Sequence, residues 1–125
     1  MVRVLIYLAA FMILIACSDQ PIEHKLADTA EVQAFMADAS ALARGQAIFE
    51  GSCASFCHTM EPAAELEASF LFDCQWIHGP TDQEIFDTVT NGVVGTRMVG
   101  FGSNFPESDD LWKVIAYLRS NQQAC

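Results

Sequence analysis

Hydrophobic and polar positions divide the chain into a leading apolar block and a longer, periodic remainder. Residues 4–15 are almost wholly apolar and follow a short start that carries Arg3. In the remainder, apolar side chains recur at intervals of three and four residues, which is the spacing of a helix with one buried face. Alternation typical of strands does not extend over a useful length. The pattern therefore predicts an all-α fold of about four helices.

Residues that start and end helices delimit the expected segments. Ser40 is the predicted N-cap of a helix that runs to Glu50 and is ended by Gly51. Gly45, four residues before Phe49, is expected to admit an aromatic neighbour where the first and last helices cross. The helical segments predicted in this way are residues 29–37, 40–50, 62–68, 81–91 and 108–118. Thr81 and Glu84 form a predicted capping box at the start of the fourth segment. The last segment has a predicted buried stripe of Leu111, Val114, Ile115 and Leu118.

The leading apolar block ends in the tetrapeptide Leu14-Ile15-Ala16-Cys17. A charged start, an apolar stretch of about a dozen residues and a small residue before the cleavage site are typical of a secretory signal peptide. The stretch is too short to span a bilayer comfortably, although an uncleaved anchor helix and an ordinary signal with a chance cysteine are the alternatives. The tetrapeptide resembles the lipobox of bacterial lipoproteins, which implies lipidation of Cys17. We therefore expect a signal peptide over 1–16, a lipid-anchored tether over 17–39 and a domain over 40–125 on the periplasmic side of a bacterial membrane.

The charge of the chain limits its partners. The formal net charge is −10 at pH 7, with 16 acidic residues against 6 basic ones, and removal of residues 1–16 would make it more negative by the loss of Arg3. Phosphate backbones would be repelled by such a surface, so nucleic acid is not an expected partner. Steering toward a basic protein partner is compatible with this charge.

The five cysteines fall into three groups. Cys17 belongs to the lipobox, and Cys53 and Cys57 belong to a motif described below. Cys74 and Cys125 remain as an even pair in an oxidising compartment, and a disulfide between them is a hypothesis, with two free thiols as the alternative. That bond would close a loop of about fifty residues and add a few kcal/mol to stability.

The motif with the clearest chemistry is Cys53-Ala54-Ser55-Phe56-Cys57-His58. Two cysteines followed at once by histidine are typical of covalent haem attachment, in which both thiols bond to the haem and the histidine becomes an axial ligand of the iron. The usual spacing has two residues between the cysteines, whereas this chain has three, and the extra residue predicts a bulge. Half of a zinc site or a local disulfide fits the same residues, with further zinc ligands drawn from Cys74, His78 and His24.

A second axial ligand is expected from the glycine-rich segment 90–102, which carries Met98. Glycines let a backbone lie close to a flat cofactor. A thioether is a soft ligand that favours reduced iron and raises the reduction potential. Met98 is therefore the predicted sixth ligand, and a core methionine is the structural alternative. His78 is the rival sixth ligand. Met60 follows His58 too closely in the sequence to reach the opposite face of the haem ring.

Over residues 40–120 the chain resembles the class I cytochromes c. The matching residues, in order, are Ala43-Arg44-Gly45 to Phe49, the Cys57-His58 pair, Asn91-Gly92 to Met98-Val99-Gly100-Phe101-Gly102, and Asp110 to Leu118. The resemblance implies a small fold of about four helices around one covalently bound haem c, with Met98 in the ligand position. Residues 72–79 are also similar to small cytochromes that accept electrons from quinoprotein alcohol dehydrogenases.

Taken together, these features predict an electron-transfer protein and not an enzyme. The expected partners are a periplasmic dehydrogenase, with the quinoprotein type suggested by residues 72–79, and an oxidase or another cytochrome. Two alternatives stay open at this point. One is a haem-based sensor or small haem enzyme in which the sixth ligand is labile, and the other is a haem-free lipoprotein module that contains a disulfide.

Overall fold

Four α-helices are present in the computed structural model, which describes residues 29–63, 68–73 and 75–124. They are α1 (Ala30–Met36), α2 (Ala39–Ile48), α3 (Asp82–Asn91) and α4 (Asp110–Ser120), and a π-helical turn over Phe49–Ala54 continues α2. Within these ranges no strand forms, and a single antiparallel bridge joins Gly92 to Val99. The predicted all-α fold is confirmed.

Several predictions fall on residues outside the described part of the chain. They are the signal peptide over 1–16, the lipidated Cys17, the first part of the tether, most of the helix expected over 62–68, and the Cys74–Cys125 disulfide. None of the helices in the described ranges is both long enough and apolar enough to cross a bilayer.

The helix α4 forms the centre of the fold, and α1, α2 and α3 all pack against it. Its predicted stripe of Leu111, Val114, Ile115 and Leu118 is buried, as expected. Val32 of α1 is fully buried in the same core. The packed domain therefore extends back to Thr29, into the stretch that the sequence assigned to the tether, because Val32, Phe35 and Met36 of α1 all pack in or against this core.

The crossing of α2 and α4 depends on Gly45. A Cβ atom at this position would lie 2.1 Å from the carbonyl oxygen of Lys113. Sequence reasoning expected an aromatic side chain beside Gly45, but its neighbour is the backbone of α4, since only glycine allows two helices to approach so closely. Phe49, one turn later, is fully buried, with its ring centroid 5.8 Å from that of Tyr117.

The ends of the helices agree with the sequence signals in part. Thr81 and Glu84 form the predicted capping box at the start of α3, and Gly92 ends that helix. At α2 the N-cap is Asp38, not Ser40, because the Asp38 carboxylate accepts hydrogen bonds from the Ser40 and Ala41 amides. Gly51 does not end this helix either, since helical winding continues through it as the π-helical turn.

The ion pair between Arg44 and Asp110 joins α2 to the start of α4. Arg44 Nη2 lies 2.7 Å from Asp110 Oδ2, and Arg44 Nε lies 3.0 Å from Asp110 Oδ1. The Asp110 side chain is fully buried, whereas that of Arg44 is 42% exposed. Hydrogen bonds from the guanidinium and from the Glu107 amide lower the pKa of Asp110 against the opposing effect of burial.

This lowered pKa predicts how stability responds to acid. A carboxyl group whose pKa is lower in the folded state stabilises the fold above its unfolded pKa, and that contribution disappears as the pH falls through the folded pKa. We expect Asp110→Asn to cost about 1–2 kcal/mol near pH 7, a range that allows for the exposure of Arg44, and to cost less below about pH 4. Urea denaturation at both pH values checks this, with exposed Glu31→Gln as the control. An equal cost at both values would contradict the assignment.

Candidate functional site

All four residues predicted to bind the cofactor line one cavity of about 1380 Å³. They are Cys53, Cys57, His58 and Met98, and the cavity lies between the end of α2, α3, α4 and the loop 93–106. Its volume exceeds the roughly 300–1,000 Å³ of ordinary small-molecule pockets. Its inner wall is apolar, formed by residues that include Ile48, Ile85, Val89, Val114 and Leu118. The fold thus brings together two segments that are distant in sequence around one large apolar space.

His58 is held in one orientation by the backbone of a neighbouring loop. Its Nδ1 lies 2.8 Å from the carbonyl oxygen of Ser69. A carbonyl can only accept a hydrogen bond, so Nδ1 carries the proton and donates it, which leaves the lone pair of Nε2 free for a metal. Ser69 had no signal in the sequence, because its contribution is a backbone oxygen.

Cys53 and Cys57 are both free thiols, so they are not joined to each other as a local disulfide. Burial, with a smaller effect of Cys57, raises the pKa of Cys53 to about 11, so its thiol is neutral. Among the described residues, the one cluster that could hold a metal through Cys, His or carboxylate groups is Glu107, Asp109 and Asp110. No zinc site therefore forms around Cys53 and Cys57 within the described ranges.

Met98 lies on a loop that is closed at its base by backbone contacts. Val93 N donates to Met98 O at 2.9 Å, and Met98 N donates to Thr96 Oγ1 at 3.1 Å. A Cβ on Gly92, which has a φ of 74°, would lie 2.6 Å from both Met98 O and Gly100 N. Gly92 therefore serves a close approach between two backbone arms of this loop, whereas Gly95 of the same segment lines the cavity.

The rival ligands differ in where they lie. His78 is exposed and also lines the cavity, so the structure keeps it beside the site. Met60 is 43% exposed and lines a separate, smaller recess with Phe70 and Tyr117. Among the aromatic residues of the segment 70–76, Phe70 and Trp76 line the cavity, whereas Phe72 packs in the core with its ring centroid 5.4 Å from that of Phe49.

Trp76 provides a test of whether haem fits the cavity. Its Nε1 is buried and has no hydrogen-bond partner among the described residues. A buried N–H without a hydrogen-bond partner raises the free energy of the folded state, and a carboxylate on a cofactor in the cavity would remove this penalty by accepting a hydrogen bond from it. None of the described residues that line the cavity is acidic, whereas Arg97 lines it, as does Arg44, which is also paired with Asp110. An apolar cavity with an unpaired donor, basic side chains and Cys, His and Met ligands fits haem, whose ring is apolar and whose propionates are anionic.

A four-helix fold around a cavity lined by Cys53, Cys57, His58 and Met98 defines a c-type cytochrome. Comparison with known proteins gives the family. The chain belongs to the family described as cytochrome C oxidase, cbb3-type, subunit III, which matches residues 40–118. Membership implies haem c and electron transfer through it.

A curated relative agrees with this family. The chain is 31% identical over 88 residues to the cbb3-type cytochrome c oxidase subunit CcoP of Rubrivivax gelatinosus. The match covers 70% of this chain and 28% of that protein, so the chain spans little more than a quarter of the relative's length. No solved structure matches the chain.

Proposed function

We propose that the chain carries one haem c, attached through Cys53 and Cys57 with His58 and Met98 as axial ligands, and that it transfers single electrons without catalysing a reaction of its own. The observation that supports this most strongly is that all four residues line one apolar cavity, although Met98 is far from the other three in sequence. Family membership supports the cofactor and electron transfer.

The residues around the cavity have separate roles in this proposal. A haem held by His58 and Met98 would supply outer-sphere exchange of one electron and would leave no position on the iron for a substrate. The hydrogen bond from His58 Nδ1 to Ser69 O fixes the imidazole plane and makes Nε2 a stronger ligand. The backbone hydrogen bond from Val93 N to Met98 O holds the base of the loop that presents the Met98 thioether. The apolar wall excludes water and favours the less charged, reduced state.

We further propose a location and partners. Residues 1–16 would direct export, and a lipid on Cys17 would hold the domain at the periplasmic side of a bacterial membrane. A periplasmic dehydrogenase would supply electrons, and the resemblance of residues 72–79 favours one of the quinoprotein type. An oxidase or another cytochrome would accept them, and the family and the relative's name, an oxidase subunit, support the oxidase.

Carbon monoxide and oxidase-containing membranes test the carrier function together. We expect the reduced protein to keep its spectrum under carbon monoxide, because both axial positions are filled. We also expect membranes that contain a cbb3-type oxidase to reoxidise it in air, and cyanide-treated membranes to leave it reduced. A rapid, stoichiometric spectral change with carbon monoxide would contradict the carrier and favour a sensor or haem enzyme in which Met98 is labile.

A further inference from the structure

The backbone that carries the two cysteines is wound more widely than an α-helix. The π-helical turn spans Phe49–Ala54, and Ser55 N donates to Glu50 O at 3.1 Å. His58 N donates to Cys53 O at 3.0 Å. In these two bonds the donor is five residues after the acceptor, whereas in an α-helix the interval is four, as in the second bond that Cys53 O accepts, from Cys57 N at 3.1 Å. The widened turns coincide with the stretch in which the motif has one residue more than usual.

The bond from His58 to Cys53 explains how the extra residue is tolerated. It joins the amide of the histidine to the carbonyl of the first cysteine. In a motif with two residues between the cysteines, the same two groups are four residues apart, which is the interval of an ordinary α-helical bond. The wide turn therefore preserves this pairing in spite of the added residue. A single π-type turn inside a helix is the known structural form of such local widening, and it is frequent at functional sites.

The three residues between the cysteines differ in what they contact. Ala54 is half-buried and packs against the hydrophobic core. Phe56 is 78% exposed but lines the cavity. Ser55 is exposed and does neither, and its hydroxyl donates to Glu50 O within the wide turn. Of the three, Ser55 is the residue whose removal takes nothing from the core or from the cavity.

We propose that Ser55 is the surplus residue of this motif, and that the π-helical winding holds it outside the haem site. Cys53, Cys57 and His58 are then presented to the haem as they would be with two residues between the cysteines. Ser55 is thus a spacer, and the wide turn is a positioning element for the attachment residues. The inference rests on the proposed attachment of haem at Cys53 and Cys57.

Deletion of Ser55 in the full-length chain tests the proposal directly. The variant and the wild type are matured side by side, and covalent haem per protein is measured after denaturing electrophoresis. We expect the deletion to retain haem within about twofold of the wild type and to keep the spectrum of methionine-ligated iron, because the ordinary α-helical bond replaces the wide one. The matched variant inserts one alanine after Ser55, and we expect it to lose covalent haem at least about tenfold, since neither turn accommodates two added residues. Tenfold loss in the deletion, or loss of its methionine spectrum, would overturn the proposal, as would unimpaired attachment in the insertion variant.

Amide hydrogen exchange keeps the test independent of how well the variants fold. In the reduced, haem-loaded wild type, we expect the Ser55 and His58 amides to exchange at least about tenfold more slowly than in an unstructured peptide. Exchange of both amides at the unstructured rate would show that the wide turns are absent and would overturn the inference. That outcome differs from failure of the proposed function, in which the wild type itself acquires no covalent haem.

Discussion

Replacing Met98 with alanine is expected to abolish the weak far-red band of methionine-ligated ferric haem while leaving the covalent attachment intact. The attachment that we propose uses Cys53 and Cys57, which lie on the other segment of the cavity. In the proposed site, loss of the Met98 thioether would remove a ligand that stabilises reduced iron, and axial ligands set haem potentials over a range of about 0.8 V. We expect the midpoint potential to fall by on the order of 0.1–0.2 V, as measured by spectroscopic redox titration.

Two further variants make the Met98 result specific. Met60→Ala removes a methionine that does not line the cavity, and it should leave both the band and the potential unchanged. His78→Ala removes the rival ligand, and it should also leave the band unchanged. If the band persists in Met98→Ala, or if His78→Ala alone alters the axial ligation, Met98 is not the sixth ligand.

Replacing Asp82 with alanine is expected to cause the largest loss of stability among changes remote from the cavity. Asp82 is fully buried, and its carboxylate accepts hydrogen bonds from Arg119 Nε at 2.8 Å and from Thr29 N at 2.7 Å. It therefore links α3 to α4 and to the start of α1. Removing it leaves a guanidinium that is only 3% exposed without its counter-charge. We expect a loss of about 3–5 kcal/mol in the free energy of unfolding, measured by urea denaturation.

A second aspartate on the same helix provides the control for Asp82. Asp87 is exposed on α3, and its carboxylate accepts a hydrogen bond from the exposed Gln83 side chain. Asp87→Ala should change the free energy of unfolding by less than about 0.5 kcal/mol. A loss at Asp82 that is no greater than the loss at Asp87 would mean that the buried ion pair does not hold α1, α3 and α4 together.

Local signals in the sequence predicted the parts of the fold that depend on neighbouring residues. The capping box at Thr81 and Glu84 and the buried stripe of α4 depend on residues within a turn or two of each other, so their spacing alone is sufficient. The cysteine–histidine motif and Met98 were found for a related reason. The cysteine–histidine motif and Met98 both have side chains with distinctive chemistry, and each lies in a stretch whose composition fits that chemistry. The structure places the motif and Met98 beside one cavity.

Contacts between residues that are distant in the sequence could not be predicted from the sequence. Nothing near Asp82 indicates that Arg119 will face it, and nothing in the sequence distinguishes the carbonyl of Ser69 as the partner of His58. The start of α2 was misplaced because Asp38 and Ser40 are both good capping residues, and only the backbone geometry selects the first. Glycine at position 51 is typical of a helix end, but the wider winding carries the backbone through it.

The most direct measurement is a haem stain and an absorption spectrum of the full-length chain, expressed with a c-type maturation system. We expect haem that stays with the polypeptide on a denaturing gel, together with a weak far-red band in the oxidised protein. Those two results would establish attachment at the cysteine motif and methionine ligation of the iron. The absence of covalent haem, in a strain that matures a control cytochrome, would contradict the central claim that this cavity holds haem c.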